Sequence, residues 1–363
     1  MSRRLTREGW LWLLVVALLL ALGISKTINL LALLGYALLA LLLLGALTAG
    51  RRLARLAARR EVPPLVFAGS PARVELRVAN TSARRCLAVR LDDRGPEGGV
   101  SWFLDDLEGH ARRSCAGELM LPRRGWCELG PVVASSAHPF GLVRREVVLV
   151  PAGPVLVLPR PGRLVRERLR QRLRGADPQA MRAQRRGWRH EAAQADFHGL
   201  RPFRPGDSPR WIHWRTSARR GELMVREFED VPGDDLVLIF HAGGQPGDLF
   251  EAAVTVAATI VWEWCQRRGD RLILAVAGGE GEVYDGLTGP DHAARLLQAL
   301  AVVQPHGCAA LPDALADCAP STAGVVVVSA GRDSMAAEAE ALLRRPVLLL
   351  DAKQRREWDF YRP

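Results

Sequence analysis

Two apolar runs without a single charge open the chain, residues 9–25 and 27–50, with only Lys26 between them. Each approaches or exceeds the roughly 20 residues that a membrane-spanning helix needs. Neither has a polar face, which distinguishes them from the amphipathic helices that line a soluble core. Helices joined by so short a connection must cross and come straight back, with Lys26 snorkelling to the far interface. After Glu61 the period changes to two: Val74, Leu76 and Val78 alternate with Arg73, Glu75 and Arg77. Strands are predicted at residues 72–78, 86–91, 113–119, 130–134 and 143–150, with turns where Asn80, Gly130-Pro131 and the run from His138 to Leu142 fall. Short strands at this spacing predict an antiparallel β-sandwich.

From Asp235 onward the pattern changes again. Continuous apolar runs predict strands at 236–240, 271–277, 325–329 and 347–350, with a hairpin strand near Val283. Helical segments at 248–267, 291–302 and 334–343 alternate with them, which predicts a mostly parallel sheet covered by helices on both faces. The expected organisation is therefore a transmembrane hairpin (1–60), a β-sandwich domain (61–158), an arginine-rich connector with a long motif (159–234) and a doubly wound α/β domain (235–363). The fold class is accordingly multidomain, all-β followed by α/β, behind two membrane helices.

Charge sets the expected orientation. Arg3, Arg4 and Arg7 precede the first span, and Arg51, Arg52, Arg55, Arg59 and Arg60 follow the second. By the positive-inside rule both termini and the soluble domains lie in the cytoplasm, on the inner face of the cytoplasmic membrane. Trp10 and Trp12 sit where an interfacial aromatic belt is expected. An alternative makes the first run a signal peptide, with Ala21, Leu22 and Gly23 as its cleavage pattern; the second run would still anchor the chain. The formal charge of +11 favours anionic partners without choosing among lipid, nucleic acid and acidic protein. Six separated cysteines with no CxxC pair read as reduced, buried thiols.

Arginine dominates residues 159–191, opposed only by Glu167, Asp177 and Glu191, and reads as a linker or a solvated helix. Next comes the most distinctive stretch, Leu200-Arg201-Pro202-Phe203-Arg204-Pro205-Gly206-Asp207 followed by Arg210, Trp214, Ser217-Ala218-Arg219 and Val225-Arg226-Glu227-Phe228. Pro205-Gly206 is a turn, and Asp207 or Ser208 can cap a helix that opens at Pro209 and ends at Gly221. On that helix Trp211 and Trp214 share a packing face, with the arginines on the others.

This motif resembles the signature of domain-of-unknown-function family 58. The resemblance implies an interaction role for Arg201, Arg204, Asp207, Arg210, Trp214, Arg219 and Arg226, a partnership with MoxR-type AAA+ ATPases, and a C-terminal domain similar to von Willebrand factor type A. His213 and His138 stand where the family pattern commonly has aspartate. A type A domain that binds Mg²⁺ resembles Asp-x-Ser-x-Ser in the turn after its first strand, because a hard cation wants oxygen donors. Here that turn reads His241-Ala242-Gly243-Gly244-Gln245, so His241, Gly243 and Gln245 mark a degenerate metal site. The loop after the 325–329 strand adds Arg332 beside Asp333. No metal and no cofactor is expected.

Other catalytic patterns fail on their chemistry. His190 to Gln194 lacks the second histidine of a zinc protease, and the glycine run at Gly278 opens a hairpin and not a phosphate-binding helix. With no P-loop and no Gly-x-Ser-x-Gly elbow, no catalytic residue is assigned. The reading that results is a non-enzymatic, membrane-anchored adaptor or assembly factor. A basic module for anionic lipid or nucleic acid is one alternative, nucleic acid being the less favoured partner. A hydrolase using His213, His241 or Asp207 is another.

Overall fold

The structure, a computed structural model, describes residues 2–26, 28–176, 197–203, 212–228, 235–244, 246–278, 281–306, 310–320, 323–331 and 334–362. The chain divides into two compact units, residues 1–160 and 161–363.

The first unit begins with β1 (Ser2–Leu5), helices α1 (Arg7–Ser25) and α2 (Asn29–Thr48), and β2 (Leu56–Glu61). Both helices are long and apolar enough to cross a membrane. Thr6 caps α1 by accepting from the Gly9 amide (3.0 Å), and Gly23 lies so close to Ala32 that a side chain there would collide with the backbone of α2. Trp12 is not a free interfacial anchor: its indole donates to the Leu38 carbonyl (3.2 Å) across the hairpin. Leu11, Leu14, Leu18, Leu30, Leu33 and Leu47 point outward, as lipid-facing positions would.

Eight strands complete this unit: β3 (Pro71–Asn80), β4 (Cys86–Gly95), β5 (Gly98–Leu107), β6 (Arg112–Met120), β7 (Gly125–Leu129), β8 (Val132–Ser136), β9 (Val143–Val150) and β10 (Gly153–Val157). They form an antiparallel five-stranded sheet ordered β1-β9-β8-β4-β5, a three-stranded sheet β2-β3-β6 and the pair β10-β7. Period-two alternation along β3 buries Val74, Leu76 and Val78. Leu76 and Val78 meet Val89, Leu91 and Leu107 of the facing sheet in one apolar core, so the arrangement is sandwich-like. The expected strand at 130–134 starts two residues later, because Gly130-Pro131 is the turn between β7 and β8. β1, β2, β5, β7 and β10 are not among the expected strands. β2 carries Arg60 inward, and β5 is largely exposed, so neither shows an apolar alternation.

The second unit contains β11 (Arg163–Leu164), α3 (Arg166–Ala176), β12 (Phe197–Pro202), α4 (Trp214–Arg220) and β13 (Met224–Phe228). Then come β14 (Leu236–His241), α5 (Asp248–Trp264), β15 (Arg271–Ala277), β16 (Glu282–Leu287), α6 (Pro290–Val302), α7 (Ala314–Cys318), β17 (Gly324–Ser329), α8 (Ser334–Leu343), β18 (Leu348–Asp351) and β19 (Tyr361–Arg362). The main sheet is ordered β16-β15-β14-β17-β18, parallel except for the edge strand β16. Central strand β14 is buried along its whole length, which explains its uninterrupted apolar sequence.

The solvated-linker expectation for the arginine-rich stretch needs correction at α3. Leu169 and Leu173 are buried there, and Leu173 packs against Gly324 of β17. Arg166 is buried too, donating to Asp270 (2.6 Å) and lying over the Trp264 ring (4.4 Å). Arg168 and Arg172 reach Asp359. Spacing of the two leucines at i and i+4 puts one apolar stripe on an otherwise basic helix. His190 to Gln194 lies outside the described residues. Cys86, Cys115, Cys127, Cys265 and Cys318 are free thiols, and burial pushes the first four above the ordinary thiol range.

Candidate functional site

The motif region folds around a short antiparallel pair. β12 pairs with β13 so that Leu200 stands opposite Arg226 and Arg201 opposite Val225. Ile212 bridges to Val225 as extended chain, which stops any helix from running through it. Residues 204–211 lie outside the described residues, and of the helix expected from Pro209 the described part begins at Trp214. Its N-cap is His213, which accepts from the Thr216 amide through Nδ1 (3.3 Å). That is the task an aspartate performs well at such a position, so the histidine replaces one capping acceptor by another. We expect His213→Ala to cost about 1 kcal/mol and His213→Asp to keep or raise stability; thermal unfolding of the two variants checks this.

Ser217 is the residue of α4 that holds the region together. It is buried, donates to the His213 carbonyl (3.1 Å) and accepts from the Met224 amide (2.8 Å), tying the helix to β13. Gly221 closes the helix in the left-handed region (φ +74). Trp214, expected to pack, is instead 65% exposed, while Ser217 of the same helix is buried. Arg215, Arg219 and Arg220 are exposed beside it. Arg201 and Arg226 lie on β12 and β13; Arg204, Asp207, Arg210 and Trp211 fall outside the described residues. Trp214 and Arg219 thus share a short exposed helix.

The second candidate lies at the carboxyl end of β14, where open α/β sheets bind ligands. His241 is buried, and its Nδ1 shares a hydrogen bond with Ser329 Oγ at the end of β17 (3.1 Å). Ser329 Oγ also accepts from the Gly331 amide (3.3 Å). The turn beyond is held by backbone bonds: Ala242 donates to the Ala277 carbonyl (2.8 Å), His306 to Ala242 (2.8 Å) and Gly244 to His306 (3.1 Å). Gly243 lies against the His241 ring so closely that a Cβ would collide with Nε2. The imidazole is thus walled in by the turn. We expect Gly243→Ala to destabilise the second unit by about 1–3 kcal/mol. Shortening His241 to alanine in the same chain should relieve most of that, as a double-mutant unfolding cycle would read.

An adjoining cleft of about 370 Å³ is lined by Ala242, Gly278, Gly281, Glu282, Gln304 and His306. Gly281 donates to the Gly278 carbonyl (3.0 Å) in the turn that leads into β16, the hairpin expected from the glycine run. Gln245, Arg332 and Asp333 lie outside the described residues. Among the described residues no group of three His, Cys, Asp or Glu side chains could hold a metal. His241 and Ser329 are spent on each other, so they are not an open set of oxygen donors for a hard divalent cation. Two charged groups with clear structural roles escaped sequence reasoning, Arg60 and Arg166, because each was counted among a run of like charges.

Comparison with known proteins gives a narrow result. The uncharacterized protein YeaD of Bacillus subtilis is 33% identical over 113 residues, which is 31% of this chain and 28% of that protein's length. Among solved structures, the CARDB domain of a Pyrococcus furiosus protein covers 28% of this chain and 87% of its own, at 15% identity and a TM-score of 0.22. A β-glucosidase of Listeria innocua covers 28% of this chain and 16% of its own, at 13% identity and a TM-score of 0.18. Both structural similarities are too weak to define a relationship. The family described as Protein of unknown function DUF58 matches residues 199–348, and that stretch, from β12 to the start of β18, is a domain of this family.

Proposed function

We propose that this chain is a non-enzymatic, membrane-anchored adaptor or assembly factor. In this reading the second unit is a von Willebrand factor A-like recognition domain, and its partner is a MoxR-type AAA+ ATPase. The observation that carries the reading is the buried His241–Ser329 pair at the end of β14. Where a reacting or metal-binding domain needs accessible oxygen donors, His241 is buried, bonded to Ser329 and walled by Gly243. A site so filled suits a scaffold whose outer surface does the work.

The anchor follows from the same physics. Both ends of the hairpin join one β unit, β1 pairing with β9 and β2 with β3, so the helices cross and return to the same side. With arginine on both flanks that side is the cytoplasm, and the membrane is the cytoplasmic one. Exposed Trp214 and Arg219 on α4 supply the residue types that anchor protein interfaces. The ATPase itself comes from the family resemblance.

The test is affinity capture from crosslinked membranes with mass spectrometry. Enrichment of a MoxR-type ATPase by the native chain, weakened by Trp214→Ala with Arg219→Glu, is the expected result. Capture without that ATPase, under conditions that preserve weak complexes, would overturn the reading.

A further inference from the structure

A cleft of about 590 Å³ opens in the first unit where α2 ends. Its basic wall holds Arg51, Arg52, Arg55 and Arg84. Its apolar wall holds Leu44 from the last turns of α2 together with Leu87 and Phe140. Arg52 donates to the Arg85 carbonyl (2.5 Å), which fixes its guanidinium at the rim. The carboxylates of Asp106 and Glu108 pair instead with Arg85 (3.5 Å each). Among the described residues no carboxylate pairs with Arg51, Arg52, Arg55 or Arg84. Four arginines therefore line one cleft with no carboxylate paired to them among the described residues, an arrangement whose mutual repulsion an anion would relieve.

We propose that this cleft is a binding site for the phosphate headgroup of an anionic phospholipid. Guanidinium forks match phosphate oxygens, and Arg is preferred over Lys where such planar recognition is needed. The choice of a lipid over free phosphate follows from the other wall. Leu44, Leu87 and Phe140 offer apolar surface that an inorganic ion could not cover, and Phe140 is 44% exposed. The cleft begins at Leu44, between outward-facing Leu43 and Leu47, at the level where hydrocarbon gives way to headgroups if α2 spans a bilayer. The proposal rests on that spanning reading.

The experiment uses the full chain, purified in mild detergent and titrated with short-chain phosphatidylglycerol, with phosphatidylcholine or with inorganic phosphate, bound lipid being counted by native mass spectrometry. Phosphatidylglycerol is expected to bind at least tenfold more tightly than phosphatidylcholine. Arg51→Gln, Arg55→Gln and Arg84→Gln together should abolish that preference, and Arg84→Gln alone, on an exposed loop, should weaken it severalfold without affecting folding. Arg112→Gln with Arg113→Gln, exposed elsewhere on the unit, should leave it unchanged. Equal binding of the two lipids, an unchanged preference in both cleft variants, or phosphate competing at equal concentration would each overturn the proposal. Carbonate extraction separates the two readings: a chain released from membranes by alkali sinks the spanning hairpin, whereas a retained chain without lipid preference sinks only the site.

Discussion

Replacing Arg60 by methionine should lower the stability of the first unit by about 3–5 kcal/mol, because it leaves a buried carboxylate alone. Arg60 Nη1 donates to Asp93 Oδ1 (2.8 Å) and to the Gly130 carbonyl (2.9 Å), and the Asp93 side chain is fully buried. Burial already pushes the Asp93 carboxyl above its ordinary range, with Arg60 pulling it down. Removing the arginine removes that opposing pull, so Asp93 must take up a proton or drag water into the sandwich. The expected melting shift is on the order of 10 °C. Arg60→Met with Asp93→Leu should recover most of the loss, since an apolar pair of similar size removes the unpaired charge. A single variant that melts like the native chain would contradict this account.

Leu169→Ala is the second large effect, at about 2–5 kcal/mol in the second unit. Leu169 is fully buried under α3, and its neighbour Leu173 contacts Gly324 of the central sheet. Were α3 a solvated linker, truncating either leucine would leave unfolding almost unchanged, within about 0.5 kcal/mol. Denaturant unfolding of the full chain in detergent, followed through the tryptophans of this unit, separates the two outcomes. Arg166→Met should add a smaller loss by removing the bond to Asp270 and the contact over Trp264.

What the sequence revealed and what it hid have one physical origin. β14, β15 and β17 are covered on both sides, so their residues form unbroken apolar runs that could be placed almost to the residue. Helix α8 was legible over its whole span, 334–343. Hidden features are those in which a charged side chain points inward. Arg60 on β2 was read as one of the arginines holding the flank of the hairpin in the cytoplasm, yet it is spent on Asp93. Arg166 was read as part of a charge run, and periodicity counts such residues as surface even when an aspartate and a tryptophan wait beneath them.

The motif illustrates a different difficulty. Local rules carry a helix through Ile212, but Ile212 is claimed by Val225, and tertiary pairing overrides the local preference there. His213 then becomes the cap, a role for which its replacement of a commonly occurring aspartate gave only an indirect hint. The turn after β14 is legible as His241-Ala242-Gly243-Gly244-Gln245. Its consequence, a ring sealed against Ser329 and Gly243, needed the register of β14 with β17.

The proposed reading, in which the end of β14 does not grip a divalent ion and recognition is left to the outer surface, is tested most directly by titrating Mg²⁺ into the purified full chain in a calorimeter. No saturable heat is predicted at millimolar metal. A stoichiometric binding isotherm that disappears in His241→Ala or Ser329→Ala would contradict the account.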